Sequence, residues 1–180
     1  LAAQLATDED GFLCYRPVPD ARVVAPWPAL SRGHVTFGSF NNLRKVTPAV
    51  IAHWSRILDA VPESRLLLKA RPLGDEATAQ RYRDLFASHG VLAERIELRG
   101  SVADTAGHLD TYRDIDIALD PFPYNGTTTT CEALLMGVPV VTLRGNRHAG
   151  RVGASLLTHA GLEDWIAEDH DAYIEIAAKM

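Results

Sequence analysis

The stretch LDPFPYNGTTTTCEALLMGVPVVT, residues Leu119 to Thr142, decides how the chain is read. Its order is strand end, loop, helix start, helix, turn and next strand. The helix begins within four consecutive threonines, Thr127 to Thr130, just after Asn125-Gly126. Threonine suits a helix interior poorly, because a β-branched side chain loses rotamer freedom there. At a helix start it suits well: the first backbone N–H groups have no intrahelical partner, and a hydroxyl can cap them. Gly126 allows a tight turn and close approach of a ligand. A helix N-terminus of this kind, with the positive end of the dipole, is an anion site, and a phosphate or diphosphate is the fitting anion. A second reading of the same residues is a capping box, Thr129-x-x-Glu132.

Outward from this stretch the pattern alternates. Towards the N-terminus, strands are expected at Val35 to Phe37, Arg65 to Ala70, Arg95 to Leu98 and Ile115 to Leu119. Helices are expected from Thr47-Pro48 with Val50, Ile51, Trp54, Ile57, Leu58 and Val61 at helical spacing, then over Asp75 to Ser88 and Thr105 to Tyr112. Beyond the stretch, a strand is expected at Val138 to Leu143 and helices over Ala149 to His159 and Asp171 to Lys179. Strands alternating with helices indicate an α/β fold, a Rossmann-like parallel sheet with helices on both faces. Residues 1–32 differ: Pro17, Pro19, Pro26 and Pro28 oppose long helices and central strands, so this segment is expected as an extended interdomain strap, with one domain over 33–180.

Composition narrows the partners. A formal net charge of −5 argues against a general nucleic-acid binder, and no apolar run has membrane-spanning length. Cys14 and Cys131 define neither a metal spacing nor a disulfide framework, so a reducing cytoplasm is the expected setting. The chain starts at leucine and its last residue, Met180, closes what reads as a helical segment, so a piece of a longer polypeptide is expected.

In open parallel sheets ligands sit beyond the carboxyl ends of the strands. This rule gathers the loops at Phe40 to Lys45, Gly100 to Thr105, Pro121 to Thr128 and Arg144 to His148 at one edge. Lys45, facing the threonine helix across the crevice, is the candidate for phosphate neutralisation, whereas Arg44 reads as a solvated charge. His108 could stack on a base, or be an ordinary helix-surface histidine. Glu132 could accept hydrogen bonds from ribose hydroxyls, or close the capping box. Asp114-x-Asp116 has DxD spacing but reads as the polar lead-in to a strand. Gly145 to Gly150 is not a GxGxxG fingerprint.

Four blocks, FGSFNNLRKVTP, RGSVADTAGHL, LDPFPYNGTTTTCEALLMGVPVVTL and HAGRVGASLL, together resemble the C-terminal catalytic lobe of the O-linked N-acetylglucosamine transferase family, most of all its bacterial members. The resemblance runs from about Phe12 to the chain end. It implies the second lobe of a two-lobed GT-B glycosyltransferase that is inverting, uses UDP-GlcNAc and needs no metal or other cofactor. The implied partners are the UDP-sugar, serine or threonine of an acceptor protein, and a first catalytic lobe with a tetratricopeptide (TPR) array in the same polypeptide. The family's diphosphate lysine falls on Lys45, its uracil-neighbouring alanine and histidine on Ala103 and His108, and its phosphate-binding threonines on Thr128 and Thr129. Four positions depart: Asn42 replaces a glutamine, Thr105 a lysine, Thr127 a histidine and Glu132 the ribose-binding aspartate. The family's proposed acid–base histidines belong to the first lobe, so this chain alone is expected to lack a complete active site. A related UDP-glucose-dependent transferase and a UDP-binding module without catalysis are the alternatives.

Overall fold

The computed structural model describes residues 13, 15, 16 and 26–179. Among the described residues six strands form one parallel sheet: β1 (Thr36–Ser39), β2 (Arg65–Lys69), β3 (Ile96–Arg99), β4 (Ile117–Leu119), β5 (Val140–Leu143) and β6 (Ile166–Ala167). Their order across the sheet is β3-β2-β1-β4-β5-β6, and every pairing is parallel. The chain builds outward from β1 in one direction, then returns and builds from β4 in the other. The crevice between the carboxyl ends of β1 and β4 is therefore the topological switch point, where ligands bind in such sheets.

The helices are α1 (Ala29–Arg32), α2 (Pro48–Ala60), α3 (Glu76–Ala87), α4 (Thr105–Asp110), α5 (Thr128–Leu135), α6 (Val152–His159) and α7 (His170–Lys179). Two separate cores lie on the two faces of the sheet, and the period-two alternation of strand side chains divides them. Leu66 and Leu68, Ile117 and Leu119, and Val141 and Leu143 face α2, α3 and α7, with Trp54, Ile57, Phe86 and Tyr173 buried among them. Leu67, Ala118 and Val140 point the other way, against Leu109, Tyr112, Cys131, Leu134 and Leu157. Gly38 belongs to this second face. A Cβ there would lie 2.5 Å from Ile115 Cγ2, so the strand passes Ile115 only because it carries no side chain at that position.

Most of the proline-rich segment expected as a strap lies outside the described residues. Its described end is the short helix α1, not extended chain, and it is tied to the sheet by Asp114 and Asp116. Ala29 N–H donates to Asp116 Oδ1 at 2.8 Å and Thr36 N–H to Asp116 Oδ2 at 2.8 Å. Arg32 and Arg99 pair with the Asp114 carboxylate. Leu13 and Tyr15 pack on the second core. The strand β6 was not expected; two residues are too few to show a period. The helix expected over Thr105 to Tyr112 is instead α4 followed by a 3₁₀ turn, Thr111–Asp114, which delays the next strand to Ile117.

Candidate functional site

The α2 start shows how local chemistry sets this edge of the molecule. Thr47 Oγ1 accepts from Val50 N–H at 3.4 Å and Pro48 occupies the first turn, as the sequence predicts. The 3₁₀ turn Leu43–Lys45 immediately before it points Lys45 back over the switch point. Lys45 Nζ donates to Asn125 O at 2.8 Å and lies 4.3 Å from the centre of the Tyr124 ring. Partial burial lowers its pKa, and the Asp120 charge opposes that shift. The lysine therefore faces the loop that leads into the threonine helix, the placement read from the sequence.

That loop is held from below. Asn125 is fully buried: Nδ2 donates to Pro121 O at 3.0 Å, Oδ1 accepts from Gly153 N–H at 3.3 Å, and its own N–H donates to Ala149 O at 2.8 Å. Gly126 N–H donates to Asp120 Oδ1 at 2.6 Å, and Thr142 Oγ1 donates to Oδ2 at 2.7 Å. Asp120 is buried at the end of β4, and burial pushes its pKa up to about 7 against the lowering effect of these hydrogen bonds and Lys45. A Cβ on Gly126 would lie 2.6 Å from the hydroxyls of both Thr129 and Thr130, so this turn accepts no side chain.

Helix α5 starts earlier than a Thr129 cap requires. Thr127 is the cap residue and makes no side-chain cap bond. Thr129 Oγ1 donates to Asn41 Oδ1 at 3.1 Å, joining the helix start to the end of β1, while Thr128 is exposed at the tip. The capping box Thr129-x-x-Glu132 does not form. Glu132 is turned to the other side, where its Oε2 receives Tyr112 Oη at 3.1 Å and lies 2.9 Å from His108 Nε2. Burial and the Glu132 charge raise the Tyr112 pKa well above the usual phenol value.

His108 and Glu132 open onto a cavity of about 470 Å³, lined also by Phe40, Lys69, Arg71, Ser101 and Ala103. Thr105 shares this lining. The structure thus brings Ala103, His108 and Glu132 together beside the switch point, with Thr129 one turn from Glu132 and Lys45 over the loop that precedes α5. Asn42 is not among them. It is exposed, its Oδ1 accepts from Arg44 N–H at 3.0 Å, and it faces a neighbouring groove with Arg81 and Tyr82. Its side chain is used to cap the 3₁₀ turn that carries Lys45, so the binding role assigned to it by resemblance has no direct geometric support. Arg44 is exposed, as expected. Two residues of the site were missed in the sequence: Lys69, the last residue of a buried strand, and Asp120, which follows β4 directly. A charged residue ending an apolar strand at the carboxyl edge was the available signal.

The carboxylates of Asp114 and Asp116 are engaged with Arg32, Arg99, Ala29 and Thr36, which gives their DxD spacing a structural role. Among the described residues no helix is long and apolar enough to cross a membrane.

Comparison with known proteins gives the family and the fold. The family model described as glycosyl transferase family 41 matches residues 25–180. A Petunia hybrida protein described as a probable UDP-N-acetylglucosamine–peptide N-acetylglucosaminyltransferase SPINDLY is 48% identical over 171 residues, 95% of this chain and 18% of that protein. A Caenorhabditis elegans UDP-N-acetylglucosamine–peptide N-acetylglucosaminyltransferase is 31% identical over 146 residues, 81% of this chain and 12% of that protein. The structure of a lysine-to-methionine mutant of the Thermobaculum terrenum O-GlcNAc transferase superposes with a TM-score of 0.84 at 43% identity, covering 91% of this chain and 30% of that one. The chain spans about a fifth of the length of the Petunia relative.

Proposed function

The chain belongs to glycosyl transferase family 41, and from that membership we propose that it is the donor-binding lobe of an inverting, metal-independent protein O-glycosyltransferase that uses UDP-GlcNAc. One observation carries the reading: Lys45 and the start of α5 converge on the switch point, beside a cavity that holds Ala103, His108 and Glu132. In this reading the diphosphate lies over Gly126 to Thr129, the ribose reaches Glu132, and the base enters the cavity against His108.

The chemistry asked of this lobe is help for a departing UDP. As the glycosidic C–O bond breaks, negative charge grows on the β-phosphate. Lys45 and the α5 amides meet it with donors already fixed in place by Asn125 and Asp120, so little reorganisation is needed during the reaction. The acceptor serine or threonine hydroxyl and the base that receives its proton come from outside this lobe, from the acceptor protein and a first lobe of the same polypeptide, with a TPR array upstream. The same reading sets the enzyme in the cytoplasm.

The test is calorimetric titration of the chain with UDP, UMP, ADP, GDP and UDP-sugars, in EDTA. Micromolar or tighter UDP binding in EDTA, with UMP weaker and the other diphosphates weaker still, supports the reading. Loss of UDP binding in EDTA would refute metal independence, and equal affinity for UDP, ADP and GDP would show that the loop Ser101 to His108 does not read the base.

A further inference from the structure

We propose that Lys69 is a positioning residue: its ammonium holds His108 in the Nε2–H tautomer, and His108 in turn holds the Glu132 carboxylate in place. The role matters for function only if the cavity receives a nucleoside, so in that respect it rests on the reading above.

The geometry is a chain of three side chains from three elements. Lys69 ends β2 and is buried, 4% exposed. Its Nζ lies 2.5 Å from His108 Nδ1. An ammonium has three donors and no acceptor, so the ring nitrogen facing it must accept. A ring carrying hydrogen on Nδ1 would meet the ammonium hydrogen to hydrogen. The ring hydrogen therefore sits on Nε2, where it donates to Glu132 Oε2 at 2.9 Å. Tyr112 Oη lies 3.1 Å from the same oxygen and 3.1 Å from Thr129 O, and its ring packs edge-on against His108, with centroids 5.7 Å apart. Every donor in the chain points one way, from Lys69 through His108 to Glu132. The result is a fixed imidazole plane on the cavity wall and a carboxylate with a fixed orientation on α5.

Packing alone does not require this lysine. A buried ammonium carries a desolvation penalty that an apolar side chain of similar length would avoid. The penalty is visible in its pKa, which burial lowers to about 8, with Glu132 raising and Arg99 lowering it. What the site does supply is a set of acceptors for the cation. His108 O, in the last turn of α4, lies 3.4 Å away and Thr111 Oγ1 3.3 Å away, and the centre of the Phe40 ring is 4.9 Å from Nζ. Carbonyl ends of helices and aromatic faces both favour a cation. Charged and titratable groups around Lys69 include His108 from α4, Glu132 from α5 and Arg99 from β3, and Arg71 and Asp104 line the same cavity.

The experiment is long-range ¹H–¹⁵N correlation of the histidine rings in the chain and in Lys69→Met and Lys69→Arg, with uridine and UDP affinities measured on the same samples. In the wild type, His108 gives the pattern of a hydrogen on Nε2 and a bare Nδ1. In Lys69→Met that pattern gives way to a mixture of tautomers, and uridine and UDP both weaken by about tenfold, the scale of one hydrogen bond to a charged group. Lys69→Arg keeps a donor at Nδ1 and retains most of the tautomer preference. A wild-type Nδ1–H pattern overturns the proposal, and so does a Lys69→Met spectrum in which His108 is unchanged. If Lys69→Met does not fold, the wild-type spectrum alone decides. Absence of uridine binding in the wild type, together with a tautomer that responds to Lys69→Met, would remove the nucleoside reading and leave the role of Lys69 standing.

Discussion

Replacing Lys45 by alanine separates the two halves of a nucleoside diphosphate. Lys45 Nζ sits beside the Asn125 carbonyl at 2.8 Å and over the Tyr124 ring, and the residue does not line the cavity that holds His108. It is therefore placed for a diphosphate lying over the start of α5, and not for a base in that cavity. A charge-assisted hydrogen bond in a partly dry site contributes about 1.5–3 kcal/mol, so UDP affinity should fall by about one to two decades. Uridine affinity should stay within about twofold, since no hydrogen bond to the nucleoside is removed. Apo stability should fall by no more than about 1 kcal/mol, because the substitution deletes one hydrogen bond made by a half-exposed lysine. Part of that is offset by relief of the lysine's own desolvation, which lowers its pKa. The assay is paired calorimetry of UDP and uridine, wild type and Lys45→Ala, at one salt concentration, with thermal melts of the apo proteins. An equal loss for the two ligands, or a melting temperature lowered by more than a single hydrogen bond explains, would refute the placement of the phosphates.

Two other substitutions probe the loop beneath. Asp120 has its folded pKa raised to about 7 by burial, above its ordinary carboxylate value, so the folded state holds a proton there that the unfolded state has released. Its contribution makes stability fall as pH rises from about 4 to about 7 and level off above that. Asp120→Asn, which keeps an acceptor for Gly126 N–H, should remove that slope in urea titrations across this range; an unchanged slope would refute the assignment. Gly126→Ala should cost about 1–3 kcal/mol through overpacking against Thr129 and Thr130 and should weaken UDP more than uridine. A crystal structure of the variant with an undisturbed α5 start, together with full UDP affinity, would contradict it.

The order of elements, their class and the placement of Lys45 beside the loop that leads into α5 were legible in the chain itself. Periodicity is local: Val50, Ile51, Trp54, Ile57 and Leu58 can recur at helical spacing only if one helical face is apolar, and Thr127 to Thr130 belong at a helix start by β-branching and hydroxyl chemistry alone. Lys45 was legible because a cation ahead of a helix N-terminus is a local anomaly that a bound anion explains. The switch point itself was not legible, since strand order depends on which non-adjacent strands pair. The approach to β4 meets β1 across a sequence separation of 80 residues, where Asp116 N–H donates to Thr36 O and the Asp116 carboxylate accepts from Thr36 N–H. Nor was the partner of Glu132: its spacing from Thr129 fits a local capping pattern, but only the fold brings the His108 imidazole of α4 to this carboxylate on α5. The altered acidity of Lys69 and Asp120 belongs to the same class. Desolvation is a property of everything folded around a group, so a residue's letter carries its ordinary charge, and the tertiary structure decides what that charge costs and what it holds.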